Sequence, residues 1–228
     1  MKSFPVAFQP SRSPQRSTLL AALAFAIVAA YAGCSTPAAS ERFYALSDGS
    51  SSTGASATTT AGALPGIVIS AVTVPELVDR PQIVTRDGAN RVTVAEQQLW
   101  AEPLKNGIGR VLAVRLTKAL ADAGHPARVA AYPQTSIATP DFRITIDVQR
   151  FDAVPGGDVV IDVLWSVRRT SDDSIRSGRT VAARPIPALS YDYTVHAWSE
   201  ALEVLNKDIA AVLAQSDAMP AASAVKTR

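Results

Sequence analysis

The segment from residue 74 to residue 120 constrains the fold most, because it joins a strand end, a hairpin and a long helix without interruption. Asp87 and Gly88 separate two short β-prone runs at 83–86 and 91–95. An Asp-Gly pair supplies the positive φ that a hairpin turn requires. We therefore predict that the two runs pair as antiparallel strands.

An amphipathic helix is predicted over residues 103–123. Pro103 suits the first turn, where its missing N–H costs nothing, and Gly124 suits the position just after the end. Between them, apolar residues recur at helical spacing: Leu104, Ile108, Val111, Leu112, Leu116, Ala119 and Leu120. One face of this helix must therefore be covered by a sheet.

The rest of the chain alternates between strand patterns and one further helix. Strands are predicted at 42–46, 67–74, 128–131, 141–151, 158–169 and 175–183, and a second amphipathic helix at 191–215. The last three strands are separated by turn residues and should form an antiparallel meander. The expected fold class is α+β, in two layers, with a mostly antiparallel sheet and two long amphipathic helices on one face.

The N-terminal region has the anatomy of a secretory leader. A basic start precedes an apolar run at 19–30, roughly 12 residues against the ~20 of a membrane span. The run leads to YAGC at 31–34, which resembles the lipobox of bacterial lipoproteins, although Tyr31 replaces the preferred aliphatic residue. We predict a lipoprotein signal peptide over 1–33 and lipidation of Cys34. The alternative is that Cys34 is an ordinary leader residue and cleavage follows an A-x-A-like site nearby.

After the leader we predict a tether at 34–41 and one α+β domain at 42–215. Within it, residues 47–66 are almost all small or polar and should form a mobile loop, and the tail at 216–228 should be disordered. A chain of 228 residues with 47% hydrophobic residues can bury a core for one such domain.

Charge excludes one class of partner. The net charge of +2 comes from 22 basic and 20 acidic residues, but residues 1–33 hold three of the basic ones and no acid. The mature chain therefore has 19 basic and 20 acidic residues, a net charge of −1, which argues against a nucleic-acid-binding surface. Cys34 is the only cysteine, so an intramolecular disulfide is excluded.

No catalytic or metal-binding motif is found. His125 and His196 lack partners at metal-ligand spacing, and neither a nucleophile elbow nor a P-loop occurs. We interpret the acidic residues of the meander as solvent-facing groups that protect strand edges: Asp147, Asp152, Asp158 and Asp162. The prediction is a protein that is not an enzyme and has no cofactor or metal beyond covalent lipid on Cys34.

Several short blocks resemble the PqiC family of ABC-type transport auxiliary lipoproteins. They are FYAL at 43–46, VPEL at 74–77, DRPQIV at 79–84 and WAEPL at 100–104. The resemblance implies an outer-membrane lipoprotein that works with an inner-membrane permease and a periplasm-spanning protein bearing mammalian-cell-entry (MCE) domains. Such a system moves lipids or other hydrophobic solutes between the two membranes. Ser35, after the cysteine, implies outer-membrane sorting by the same resemblance.

The two most specific blocks supply the predicted partner-binding residues: Asp79, Arg80, Pro81, Gln82, Trp100 and Glu102. A proline limits local backbone freedom, which suits a fixed recognition edge. Two alternatives stay open: Arg80 pairs with Glu76 or Glu102 only to hold the hairpin, and Trp100 staples the helix entrance instead of contacting a partner. We expect both blocks to meet at one corner.

Two functions of different classes follow. The first is docking or capping of the periplasm-spanning component by a membrane-tethered subunit, with self-association that would repeat the surface for a multimeric partner. The second is a periplasmic carrier that binds lipid in an apolar pocket between sheet and helices. Neither function requires catalysis.

Overall fold

The computed structural model describes residues 40–49, 64–133 and 136–216. The described residues from Glu41 onward belong to one compact unit. The predicted leader, Cys34, most of the predicted mobile loop and the tail beyond Ser216 lie outside the described residues.

Eight strands and two helices are present in the described part of the chain. They are β1 (Arg42–Tyr44), β2 (Gly66–Thr73), β3 (Gln82–Arg86), β4 (Val92–Trp100), α1 (Leu104–Asp122), β5 (Arg128–Ala131), β6 (Phe142–Ala153), β7 (Asp158–Arg169), β8 (Ile175–Pro185) and α2 (Tyr191–Ala214). The α+β class is confirmed.

The larger sheet has five strands in the order β5-β2-β6-β7-β8. The predicted meander is confirmed as β6, β7 and β8, which pair antiparallel over most of their lengths. Strand β2 instead runs parallel to both of its neighbours. Parallel neighbours need long connections, and here the chain between β2 and β5 includes β3, β4 and α1.

A second sheet, of three strands in the order β1-β4-β3, was not predicted as separate. Its β3–β4 pair is the predicted hairpin, with Gly88 at a φ of 97° in the turn. The chain leaves β2 through a helical turn in which the Val78 and Asp79 N–H groups donate to the Pro75 carbonyl. This turn redirects the chain, so that the hairpin builds its own sheet with β1 parallel to β4.

Both helices pack on one face of the five-stranded sheet, as predicted. The layer between them contains fully buried aliphatic side chains from α1, the sheet and α2, among them Leu112, Ile144 and Leu202. At one end of this layer three aromatic rings meet. The ring centroids of Phe151 and Trp198, which are stacked, lie 4.6 Å apart, and those of Trp100 and Trp198 lie 5.7 Å apart. Trp165 and Trp198 are core residues, as predicted.

The acidic residues of the meander are not all solvent-facing, and for two of them that interpretation was wrong. Asp152 and Asp162 are buried. Arginines cover both carboxylates: Arg86 lies 2.8 Å from Asp152, and Arg179 donates two hydrogen bonds to Asp162. Strand alternation places Asp162 on the outer face of the sheet. Asp152 has the parity of the buried Ile144 and Ile146, and the register irregularity between Val148 and Arg150, which the sequence pattern does not show, changes its orientation.

Candidate partner-binding corner

The two sequence blocks meet through a main-chain hydrogen bond. The Trp100 N–H donates to the Pro81 carbonyl at 2.7 Å, beside a register irregularity between Gln82 and Ile83. The next N–H, that of Ala101, donates to the Tyr44 carbonyl at 2.8 Å. The backbone therefore holds the end of β4 between β1 and the segment that enters β3, as the predicted corner requires.

A groove of about 380 Å³ opens at this corner. We call it the corner groove and define it by its lining residues: Asp79, Arg80, Pro81, Trp100, Ala101, Glu102, Pro103, Leu104 and Lys105. Five of the six predicted partner-binding residues line it. The sixth, Gln82, is partly buried in β3 next to the groove.

Trp100 forms part of the floor of the groove. It is only 8% exposed and contacts Phe151 and Trp198 in the core. Leu104, at the start of α1, is 2% exposed and also lines the floor. Of the two alternatives for Trp100, the structure therefore favours the core role, with one edge of the ring left to the groove.

Glu102 holds the entrance of α1 through Arg110. The Arg110 guanidinium donates from Nε at 2.9 Å and from Nη2 at 2.7 Å to Glu102 Oε1, and also donates to the Leu46 carbonyl. The Glu102 carboxylate lies over Gly107, where an added Cβ would be 3.4 Å from Glu102 Oε1, an ordinary contact distance. The arrangement ties the groove wall to the segment that follows β1.

At the other wall of the groove, one charged side chain is paired within the chain and one is not. Asp79 forms an ion pair with Lys105 at 3.2 Å. Arg80 is exposed and forms no ion pair or side-chain hydrogen bond with any residue that the structure describes. The alternative in which Arg80 pairs with Glu76 or Glu102 is therefore not what the structure shows. Its guanidinium is available to an external acceptor.

Lys105 and Arg110 belong to this site but were not predicted. Both lie on α1, and Glu102 precedes that helix by two positions. Helix periodicity therefore does not place either basic residue beside a carboxylate, and their closeness to Glu102 in the chain was the only local signal. Pairing within the groove nevertheless depends on where residues 79–81 arrive, which the helix pattern does not indicate.

The corner combines apolar and charged groups on one surface. It offers an apolar floor, two internally neutralised acids and one unpaired guanidinium, which suits a polar peptide surface with an acidic group. Among the described residues no group of three or more His, Cys, Asp and Glu side chains is placed to share a metal ion. His196 is exposed beside Glu200, and His125 is partly buried at the end of α1.

The fold and this site together define a two-layer α+β domain with a structured surface groove. The sequence profile of the ABC-type transport auxiliary lipoprotein component family matches residues 44–210. The chain belongs to this family, and the resemblance inferred from its short blocks is confirmed. The family consists of auxiliary lipoprotein components of ABC-type transport. No curated protein matches the chain in sequence.

Solved structures share the fold, among them two with TM-scores above 0.5. A crystal structure of an uncharacterized protein aligns with a TM-score of 0.60 at 18% identity, over 77% of this chain and 99% of that one. A DUF330-family protein from Xanthomonas campestris aligns with a TM-score of 0.53 at 20% identity, over 75% and 94%. In the described part of the chain, neither helix combines the length and apolar character that crossing a bilayer requires.

Proposed function

We propose that this chain is an outer-membrane-anchored periplasmic lipoprotein of an MCE-type trans-envelope system that moves lipids or other hydrophobic solutes. In this proposal the corner groove docks onto or caps the periplasm-spanning MCE-domain protein, which in turn works with an inner-membrane permease. The protein supplies attachment and has no catalytic step. Acyl chains on Cys34 hold it at the membrane, because several chains together anchor a soluble domain stably.

The observation that carries this proposal is the unpaired Arg80 in a groove whose other charges are neutralised within the chain. Glu102 is bound by Arg110 and Asp79 by Lys105. A guanidinium in this setting gains most from a carboxylate that a partner presents, because Arg pairs with carboxylates in a planar, two-bond geometry. Membership of the auxiliary lipoprotein family supports the assignment of that partner to a transport system.

The carrier alternative receives less support from the interior. Large side chains fill the layer between sheet and helices, with Ile108, Leu116 and Ile146 fully buried. The apolar hollow beside Leu189 and Tyr191 measures about 160 Å³ and is lined largely by loop residues such as Pro155 and Gly156, not by this layer. Ligand pockets are usually about 300–1,000 Å³, so this hollow is small for a lipid.

The test measures how much of the MCE-domain protein of the same system is captured by the wild type, by Arg80→Glu and by a matched control, Arg176→Glu. Arg176 is an exposed arginine on β8 that forms no ion pair with any described residue. Arg80→Glu should abolish capture and leave the melting temperature unchanged, whereas Arg176→Glu should affect neither. In the same cells, Cys34→Ala should release the protein from the membrane fraction.

Equal capture by both arginine variants would remove the corner groove from the proposal. A melting temperature that falls only for Arg80→Glu would make Arg80 a structural residue. A phospholipid retained by the delipidated domain in native mass spectrometry, together with no capture of the MCE-domain protein, would favour the carrier.

A further inference from the structure

Two neighbouring loops form an uncharged surface at one end of the larger sheet. Residues 153–157 contain the last residue of β6 and the loop to β7, and residues 185–191 contain the last residue of β8, the loop to α2 and its first residue. Neither stretch contains a charged side chain. The Ile186 N–H donates to the Gly157 carbonyl at 2.8 Å, and Gly156 packs against Leu189. We call these two stretches the tip.

The exposure of the tip is unusual for connecting loops. Turns normally expose polar residues and glycine, whereas Leu189 is 80% exposed and Val154 is 45% exposed. A single exposed apolar residue is ordinary. Of the ten large apolar side chains that are exposed among the described residues, however, four lie at or beside the tip: Phe43, Val154, Leu189 and Tyr193. Clustered exposure of this kind marks a contact surface.

The start of β1 lies at the same end of the molecule. The Tyr44 ring lies 6.2 Å from that of Tyr191 in the first turn of α2. Three residues later, the Ser47 N–H donates to the Ser199 hydroxyl, and Arg115 donates to the carbonyls of both serines. Tyr191 and Ser199 are about 12 Å apart along a helix. The chain therefore follows α2 away from the tip, and β1 begins beside the tip.

Because β1 begins beside the tip, the length of the segment before β1 limits how far the tip end of the domain can lie from a membrane that holds Cys34. Cys34 precedes Arg42, the first residue of β1, by eight residues, which span at most about 29 Å when fully extended. A bilayer that holds acyl chains on Cys34 therefore lies within that distance of the end of the domain that carries the tip. Phe43, 62% exposed, lies beside Asp192 and His196 in the first turns of α2.

We propose that the tip rests in the lipid interface of the bilayer to which the chain is tethered, with Leu189 and Val154 inserted among the headgroups and acyl chains. This proposal rests on the membrane anchoring proposed above. A fluid lipid surface suits the tip because its small residues, glycine, alanine and proline, offer little shape or hydrogen bonding to a protein partner. Charges of both signs flank it, with Arg184 and Asp192 beside the second loop. Its contact should therefore depend on apolar burial and resist salt.

A single-cysteine fluorescence experiment tests the tip without using the native anchor. Because Cys34 is the only cysteine, a chain that starts at Ser35 accepts one introduced thiol for a polarity-sensitive nitrobenzoxadiazole label. An N-terminal polyhistidine tag attaches this chain to nickel-chelating lipids in vesicles of phosphatidylethanolamine and phosphatidylglycerol. Leu189→Cys places the label on the tip. Leu164→Cys is the matched control, since Leu164 is 42% exposed on the sheet face opposite the helices.

On vesicles, the label at position 189 should shift to shorter wavelength, be quenched by doxyl-labelled lipids and keep both properties in high salt. The label at 164 should behave as in water. Equal emission at the two positions would overturn the proposal. A shift that grows with protein concentration in the absence of vesicles would assign the tip to a second copy instead, and a shift abolished by salt would replace insertion with headgroup attraction. The tag replaces Cys34 in this experiment, so the fluorescence result does not depend on acylation. Failure of acylation in cells would overturn the proposed anchor and leave the fluorescence result unchanged.

Discussion

The corner groove and the tip present opposite chemistry to their surroundings. In the groove, Glu102 and Asp79 are both held by basic residues of α1, and only Arg80 lacks a partner among the described residues. The tip has no charged group and exposes Leu189 almost fully. The difference agrees with the two contacts proposed, because a protein partner requires walls of fixed shape and charge, whereas a fluid bilayer requires only apolar area.

Both surfaces nevertheless depend on one buried residue. Trp198 contacts Trp100 in the floor of the corner groove and stacks on Phe151 in β6. Its indole N–H donates to the Asp152 carbonyl at 3.1 Å, one residue before the tip begins. A helix residue that is 1% exposed thus supports the backbone of both surfaces.

The largest expected effect is therefore that of Trp198→Ala, which should break the distinction between the two surfaces by loosening both. Replacing a buried Trp by Ala typically lowers the free energy of unfolding by about 3–5 kcal/mol. Urea unfolding should show this loss, and capture of the MCE-domain protein and the lipid response at position 189 should fall together. Trp198→Phe, which keeps a ring on Phe151 but loses the hydrogen bond, should cost clearly less. A loss under about 1 kcal/mol for the alanine variant would contradict this shared support.

The ion pair between Asp162 and Arg179 lies outside both surfaces and serves as a reference for their comparison. Removing it shows how much one paired charge contributes to the stability of this fold. Hydrogen bonds from Arg179 hold the pKa of Asp162 below its usual value. The unfolded chain then binds a proton more readily than the native state, so the pair stabilises the fold at neutral pH and this contribution is lost as the pH falls.

Asp162→Asn should accordingly lower the free energy of unfolding at pH 7 by about 1 kcal/mol, since Arg179 is largely exposed and solvent screens its attraction to the buried carboxylate. The difference from the wild type should shrink below about pH 4, near the ordinary pKa of an aspartate. Urea titrations at pH 7 and pH 3 measure both values, with the exposed Asp158→Asn as control. A difference that is constant across this range would show that the pair has no linked proton.

Much of the fold could be predicted because local signals agreed with the final structure. The Asp87-Gly88 turn, the apolar period of α1 and Gly124 after it each specify their own element. The division into two sheets could not be predicted, because it depends on where the chain goes after Pro75. The parallel pairing of β1 with β4 covers three residues, too few for a pattern to show.

The candidate site was predictable in composition and less so in geometry. The blocks around Arg80 and Trp100 identified most of the lining of the corner groove, but burial of Trp100 depends on Phe151 and Trp198, which lie far away in sequence. The tip was missed altogether. Its only local signal is the absence of charge in two loops, and the exposure of Leu189 becomes visible only once the loops are seen side by side.

The smallest expected effect is the change in stability caused by Leu189→Asp. This variant also distinguishes the two surfaces most directly. Because the side chain is 80% exposed, the free energy of unfolding should change by no more than about 0.5 kcal/mol, as is usual for surface positions. Capture of the MCE-domain protein should persist, whereas release from vesicles after removal of the tag should become faster, because a carboxylate resists entry into the lipid interface. Arg80→Glu should give the reverse result, with capture lost and lipid contact retained. If either variant impaired both activities at unchanged stability, the corner groove and the tip would have to be treated as one continuous binding surface.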